Sequence, residues 1–208
     1  MDVFRTEMDL NYFGLLHVIQ SFLPLLKTWS DAGQKSRFIA VTSTIAIMPS
    51  FPGLSGYAAS KAAADTLINT LRIEVSPFDV DVLTICPGVT KTPFLAKGAE
   101  QMRKAWSTAP SEIKRDYGEQ YAEWWVNTVQ FGIDWIAHDQ QDSVDCLIDA
   151  STAAWPKTRY FSGLDARLLA RPTVHVPDFV WDRAVQLGFH LLGQPPVNRR
   201  SKLLYSFI

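Results

Sequence analysis

Two short β-rich runs separated by a turn-rich loop and an Ala-rich segment of helical spacing constrain this chain more than any other feature. The first is Arg37-Phe38-Ile39-Ala40-Val41-Thr42 and the second is Val80-Asp81-Val82-Leu83-Thr84-Ile85. Short apolar runs of this kind are the pattern of strands buried on both faces of a parallel sheet. Parallel neighbours cannot be joined by a hairpin and need a long crossover. The chain supplies one: a Pro/Gly/Ser-rich loop from Pro49 to Gly56, then a helical pattern over residues 57–76. Strand, helix and strand in that order predict a βαβ unit with a right-handed connection.

The flanking sequence extends the unit. Met8, Phe13, Leu15, Leu16, Val18, Ile19, Phe22, Leu25 and Leu26 recur at helical spacing, which predicts one long helix over residues 2–28 despite Pro24. Beyond Pro87-Gly88, two helices are expected over 94–136, carrying Trp106, Trp124 and Trp125, and a third near 140–154. A brief strand at 159–161 and a terminal helix with an irregular tail after 175 complete the reading. There are no repeats, low-complexity tracts or linkers. With 47% apolar residues, residues 1–208 are expected to form a single α/β domain. Residues 1–92 would be the catalytic core of the sheet; 93–208 would hold lid helices, the last strand and the tail. Tryptophans at helical spacing are more often core than substrate box.

Charge and cysteine usage narrow the function classes. A formal net charge of −1 leaves no clustered basic face for phosphates, so nucleic acid is not an expected partner. Arg199, Arg200 and Lys202 read as a solvated tail before they read as a membrane-surface patch. Cys86 and Cys146 look like buried small apolar residues in a reducing compartment. The N-terminus has no signal-peptide pattern, and nowhere do about 18 apolar residues run together. These features predict a cytoplasmic chain, or one at the cytosolic face of an internal membrane, with no membrane span. His17, His138, His175 and His190 lie far apart, so no metal site is expected. Asp65 and Glu74 read as a solvated helix face. Gly53-Leu54-Ser55-Gly56-Tyr57 has tyrosine where a hydrolase elbow needs its last glycine.

The sharpest chemical signal is Tyr57-Ala58-Ala59-Ser60-Lys61. Residues four apart share one helix face, so the Lys61 ammonium and the Tyr57 hydroxyl can approach the same point. A free tyrosine titrates near 10 and is a feeble base at neutral pH. A neighbouring cation favours the phenolate, so Lys61 is expected to bring Tyr57 nearer the working pH for acid–base catalysis. A hydroxyl at the end of the first strand would steady the reacting oxygen as charge develops. Ser43 and Thr44 are both candidates for it.

Tyr57-Ala-Ala-Ser-Lys61-Ala-Ala resembles the active-site signature of the short-chain dehydrogenase/reductase family. Asn11, in Met8-Asp9-Leu10-Asn11-Tyr12-Phe13-Gly14, resembles the family's helix asparagine, which implies a part in anchoring a water relay to Lys61. Pro87-Gly88-Val89-Thr90-Lys91-Thr92 resembles the Pro-Gly loop that closes over the nicotinamide. The resemblance implies that the Thr90 backbone meets the carboxamide and the Thr92 hydroxyl a cofactor phosphate. The family's serine lies at the position held here by Thr44, whereas residue type favours Ser43. Tyr117-Gly118-Glu119 and the stretch from Trp155 to Ala166, with Arg159-Tyr160-Phe161-Ser162-Gly163-Leu164-Asp165, resemble the retinol and 17β-hydroxysteroid dehydrogenase branch.

By this resemblance the fold would be a partial doubly wound, Rossmann-like sheet of about three parallel strands with flanking helices. The activity would be hydride transfer between NAD or NADP and a small apolar alcohol or ketone. Partial is the operative word. The sequence contains no Thr-Gly-x-x-x-Gly-x-Gly turn for the pyrophosphate, no residue that would choose between NAD and NADP, and no Asn-Asn-Ala-Gly strand. The strand at 37–42 would therefore present an open edge, and the helix faces would expose apolar patches. A homodimer through helices 2–28 and 57–76 is expected. The competing expectation is a truncated, inactive fragment that acts, if at all, as a helix-mediated binding module.

Overall fold

A computed structural model describes residues 2–48 and 53–195. Part of the Pro49 to Gly56 loop, and the basic cluster at Arg199, Arg200 and Lys202, lie outside them. The chain divides into two compact units, residues 1–88 with 138–175 and residues 89–137 with 176–208.

The first unit is built on a parallel sheet in the order β1 (Ser36–Val41), β2 (Val80–Pro87), β3 (Arg159–Ser162). Ser36 pairs with Val80 and Val41 with Ile85, and Thr84 pairs with Arg159. α1 (Asp2–Met8) and α2 (Gly14–Asp31) are joined without a break by a π turn, Asp9–Phe13. α3 (Ser55–Glu74) is the crossover between β1 and β2, and α7 (Gln141–Thr152) leads to β3. This is a partial Rossmann-like α/β fold, as the strand and helix pattern expects.

Alternation along β2 sorts the core into two layers. Val80 and Val82 join Ile19, Ile68, Leu71 and Val75 on the side of α2 and α3. Leu83 and Ile85 join Cys146, Ala150 and Tyr160 on the side of α7. Both cysteines are buried, Cys146 within this second layer and Cys86 beside Thr42 and Arg159. Only β2 is covered along nearly its whole length: Val41 of β1 is 51% exposed, so β1 is not the fully buried strand its composition suggests. It pairs on one side only, because the described sheet ends with it. The C-terminus of α7 is closed by cations from the β1 segment. Arg37 donates to the carbonyls of Ala150 (3.0 Å) and Ser151 (2.8 Å), and Lys35 Nζ to that of Ala154 (3.1 Å), answering the negative end of the helix dipole.

The second unit contains α4 (Pro93–Ser107), α5 (Ser111–Tyr117), α6 (Tyr121–Trp135) and α9 (Asp178–Leu191); α8 (Arg171–Thr173) belongs to the first. Three helices fill the stretch where two were expected. Pro110 precedes α5, and Gly118, at φ 82°, ends it with a backbone that side-chain-bearing residues avoid. Trp124 is core: its indole donates to the Leu192 carbonyl at 3.0 Å and packs edge-on against Phe189. No helix among the described residues is long and apolar enough to cross a membrane.

Candidate active site

Parallel strands bring their carboxyl ends to one edge of the sheet, where open α/β sheets bind ligands. Ser43 lies just past the end of β1, and Gly88 just past that of β2. The Thr42 N–H donates to the Ile85 carbonyl at 2.9 Å and the Gly88 N–H to the Ser162 carbonyl at 3.0 Å, which extends the pairing to that edge. There the chain after β1 turns into a short 3₁₀ turn, Thr44–Ala46. Ser43 caps the turn, its Oγ accepting from the Ile45 N–H at 3.3 Å. Its own hydrogen is left to serve the Tyr57 phenol, to which Ser43 is hydrogen-bonded. Thr44 turns inward and is buried at 8% exposure. Of the two hydroxyls that the sequence leaves open, the structure brings Ser43 to Tyr57.

Tyr57 and Lys61 occupy successive turns of α3, with Lys61 Nζ 5.8 Å from the centre of the Tyr57 ring. Burial pushes the Tyr57 phenol above its usual range; the Ser43 bond pulls it down and the Glu7 carboxylate pushes it up. Burial pulls the Lys61 ammonium below its usual range, and Glu7 opposes that. The expected lowering of Tyr57 by Lys61 is thus not the net outcome. Desolvation disfavours the phenolate, and the group that works against it is a hydroxyl rather than the ammonium.

Asn11 sits in the π turn, a geometry that recurs at functional sites. Its Nδ2 donates to Ser60 Oγ at 3.0 Å and to Glu7 Oε2 at 2.9 Å, and Ser60 Oγ donates to the Tyr57 carbonyl at 2.8 Å. Four of the expected residues, Asn11, Ser43, Tyr57 and Lys61, therefore meet around the start of α3. Pro87 and Gly88 belong to the same unit. A Cβ at Gly88 would fall on the Asp165 carboxylate, so only glycine fits there; Asp165 in turn lies 3.5 Å from His138 Nδ1. Thr90 and Thr92 belong to the second unit, Thr92 standing just before α4.

Asp65 corrects the sequence reading. It is only 5% exposed and not part of a solvated face: Arg159 NH1 and NH2 each donate to one of its oxygens at 2.8 Å. Glu74, at the end of the same helix, is exposed as expected. Sequence reasoning also passed over Glu7 and the Ser60 hydroxyl. The i, i+4 spacing of Glu7 and Asn11 was the available signal for the first; Ser60 lies inside the motif itself.

Three comparisons bear on these residues. The model of the short chain dehydrogenase family matches residues 1–103. Retinol dehydrogenase 7 of Rattus norvegicus is 28% identical over 187 residues, covering 89% of this chain and 57% of the relative. Dehydrogenase/reductase SDR family member 9 of Bos taurus is 33% identical over 86% of this chain and 54% of its own length. The 17-beta-hydroxysteroid dehydrogenase type 6 of Homo sapiens is 29% identical over 84% and 54%. The chain spans about half the length of these curated relatives. Among solved structures, a short chain dehydrogenase from Burkholderia cenocepacia in complex with NADP superposes with a TM-score of 0.58 at 21% identity, over 88% of this chain and 58% of that one. One from Streptomyces avermitilis gives 0.59 at 20% identity, over 92% and 63%. These two establish the fold alone. The match to the short chain dehydrogenase model and the curated relatives, together with the signature around Tyr57, make the chain a member of the short-chain dehydrogenase/reductase family, with retinol and hydroxysteroid dehydrogenases among its relatives.

Proposed function

We propose that this chain carries the acid–base half of an oxidoreductase that interconverts an alcohol and a ketone on a small apolar, retinoid- or steroid-like substrate, with NAD or NADP as cofactor. The observation that carries the proposal is the meeting of Ser43, Tyr57 and Lys61 at the carboxyl edge of a parallel sheet. When bound, the nicotinamide supplies or takes up the hydride. The residues present fit the nicotinamide side of such a cofactor: an ammonium with three donors, a phenol and a hydroxyl lie together beyond the strand ends. Pro87 and Gly88, in the same unit, would add to it. Residues 1–208 contain no glycine-rich turn for the pyrophosphate, so these residues account for only part of a dinucleotide site.

With its phenol pushed up by burial, Tyr57 rests protonated at neutral pH and is ready to give its proton to a carbonyl oxygen, while Ser43 steadies that oxygen. Alcohol oxidation needs the phenolate and is favoured as pH rises. Titrating the purified chain with NADH and NADPH by nicotinamide fluorescence tests cofactor binding. Tyr57→Phe, assayed with a retinoid and a hydroxysteroid, should lower kcat about 10²-fold or more; unchanged turnover rejects the assignment. A folded chain silent toward both cofactors would favour the second reading, a helix-mediated binding module. That reading draws on a stripe of exposed apolar residues along α2, Val18, Phe22, Leu25 and Trp29, which a second copy would cover in a homodimer.

A further inference from the structure

The hydrogen bonds around Asn11 can run in only one direction. Ser60 Oγ has a single hydrogen and gives it to the Tyr57 carbonyl at 2.8 Å, so toward Asn11 it can only accept. Asn11 must present its amide nitrogen, which reaches Ser60 Oγ at 3.0 Å and sends its other N–H to Glu7 Oε2 at 2.9 Å. Turned over, the amide would set its carbonyl oxygen against a carboxylate and a hydroxyl lone pair. Two bonds would be lost and replaced by repulsion. Glu7 therefore decides how Asn11 faces; Asn11 orients Ser60; and Ser60 bonds the backbone of Tyr57 itself.

Glu7 stands in the last turn of α1, immediately before the π turn that carries Asn11. Its carboxylate also acts on both Tyr57 and Lys61. It favours the ammonium of Lys61 and disfavours the phenolate of Tyr57. A helix-surface glutamate bonded one turn onward is ordinary. One whose bond continues through two further side chains to the catalytic turn, and whose charge reaches both members of the pair, is not accounted for by helix stability.

We propose that Glu7 is a positioning residue of the Tyr57 and Lys61 site, fixing the Asn11 amide and serving as counter-charge to the Lys61 ammonium. The inference rests on reading those two residues as the acid–base pair. Its test does not need turnover. In protein labelled with ¹³C at tyrosine Cζ and lysine Cε, the two resonances are assigned by their loss in Tyr57→Phe and Lys61→Met and then titrated. Glu7→Gln keeps an oxygen for Asn11 but removes the charge, and should move both titrations to lower pH. Glu74→Gln makes the same change in net charge at the exposed far end of α3 and should move neither. Wild-type titrations in a folded Glu7→Gln protein overturn the proposal, as do equal shifts in Glu74→Gln. Should Glu7→Gln not fold, Glu7→Ala carries the same two readouts without an amide that could be misplaced. Shifted titrations together with unchanged turnover in Tyr57→Phe would leave the Glu7 coupling standing and reject the oxidoreductase reading, so the two failures are distinguishable.

Discussion

The two halves of α3 use the same device to opposite ends. Polar residues recur every fourth position, Tyr57 and Lys61 in the first half, Asp65 and Asn69 in the second, with Arg72 one turn beyond. In the second half the bonds close on themselves. Arg159 grips both oxygens of Asp65 at 2.8 Å; Asn69 donates to Asp65 at 2.9 Å and accepts from Arg72 at 3.0 Å; Arg72 reaches the Val82 carbonyl at 2.7 Å. This network ties the helix to β2 and β3. In the first half, burial works against the charge of Lys61 and against ionisation of Tyr57. A buried polar group that is fully bonded rigidifies a fold. One held short of its preferred state marks a candidate site for chemistry.

Removing the cation from the second half should therefore do the most damage. Arg159→Met leaves the Asp65 carboxylate, whose side chain is 7% exposed, with no cation in bidentate contact. Breaking a buried pair from one side costs about 3 kcal/mol or more, whereas Asp65→Leu combined with Arg159→Met should recover most of that loss. Urea unfolding of the two singles and the double measures it. A loss under about 1 kcal/mol would mean that the network does not hold the second half of α3, and the contrast would collapse.

Alkaline pH probes the same region next. Burial pushes up the thiol of Cys86, which receives an N–H from Arg159 at 2.9 Å, and also the phenol of Tyr160. A folded-state pKa above the unfolded one means that the native state holds the proton more tightly. The stability this confers is complete below the unfolded values of 9.0 and 10.0 and is lost as pH rises through the folded ones. Each such proton contributes a slope of about 1.4 kcal/mol per pH unit in that window. Thermal melts should fall in temperature above pH 9, and Cys86→Ala should delay the onset. A melting temperature flat to pH 11 would show that these groups titrate as they do in the unfolded chain.

How much of this contrast the sequence could show depends on the range of each interaction. The βαβ unit was legible because strand and helix periodicities are local: the runs at 37–42 and 80–85 became Ser36–Val41 and Val80–Pro87. Tyr57 and Lys61 were legible for the same reason, being one turn apart. Asp65 was not, because its partner Arg159 is 94 residues away and nothing within its own helix marks it as buried. The choice between Ser43 and Thr44 turned on a 3₁₀ turn that faces one hydroxyl to Tyr57 and the next into the core. The π turn at Asp9–Phe13 escaped because five residues of altered pitch barely disturb a periodicity read over 27.

The smallest expected effect is also the one with the opposite sign. Lys61→Met makes the same change as Arg159→Met, a cation replaced by an apolar side chain of similar length, but on α3 itself rather than on β3. Burial holds Lys61 below its usual range, so at neutral pH its charge opposes folding; that penalty is relieved as pH rises from the folded value up to the unfolded one of 10.5. Removing the charge should raise stability at pH 7 by about 0.5 kcal/mol, the low end of what a single stabilising change yields. The gain should vanish above pH 10.5, where the unfolded lysine is neutral as well. The methionine stem preserves the contacts of the lysine stem, so packing does not hide the electrostatic difference. Urea midpoints of Lys61→Met and wild type at pH 7 and at pH 11 read both sign and window. A loss at pH 7 comparable to that of Arg159→Met would show that Lys61 is as firmly bonded as Arg159, and that the first half of α3 is built for stability after all.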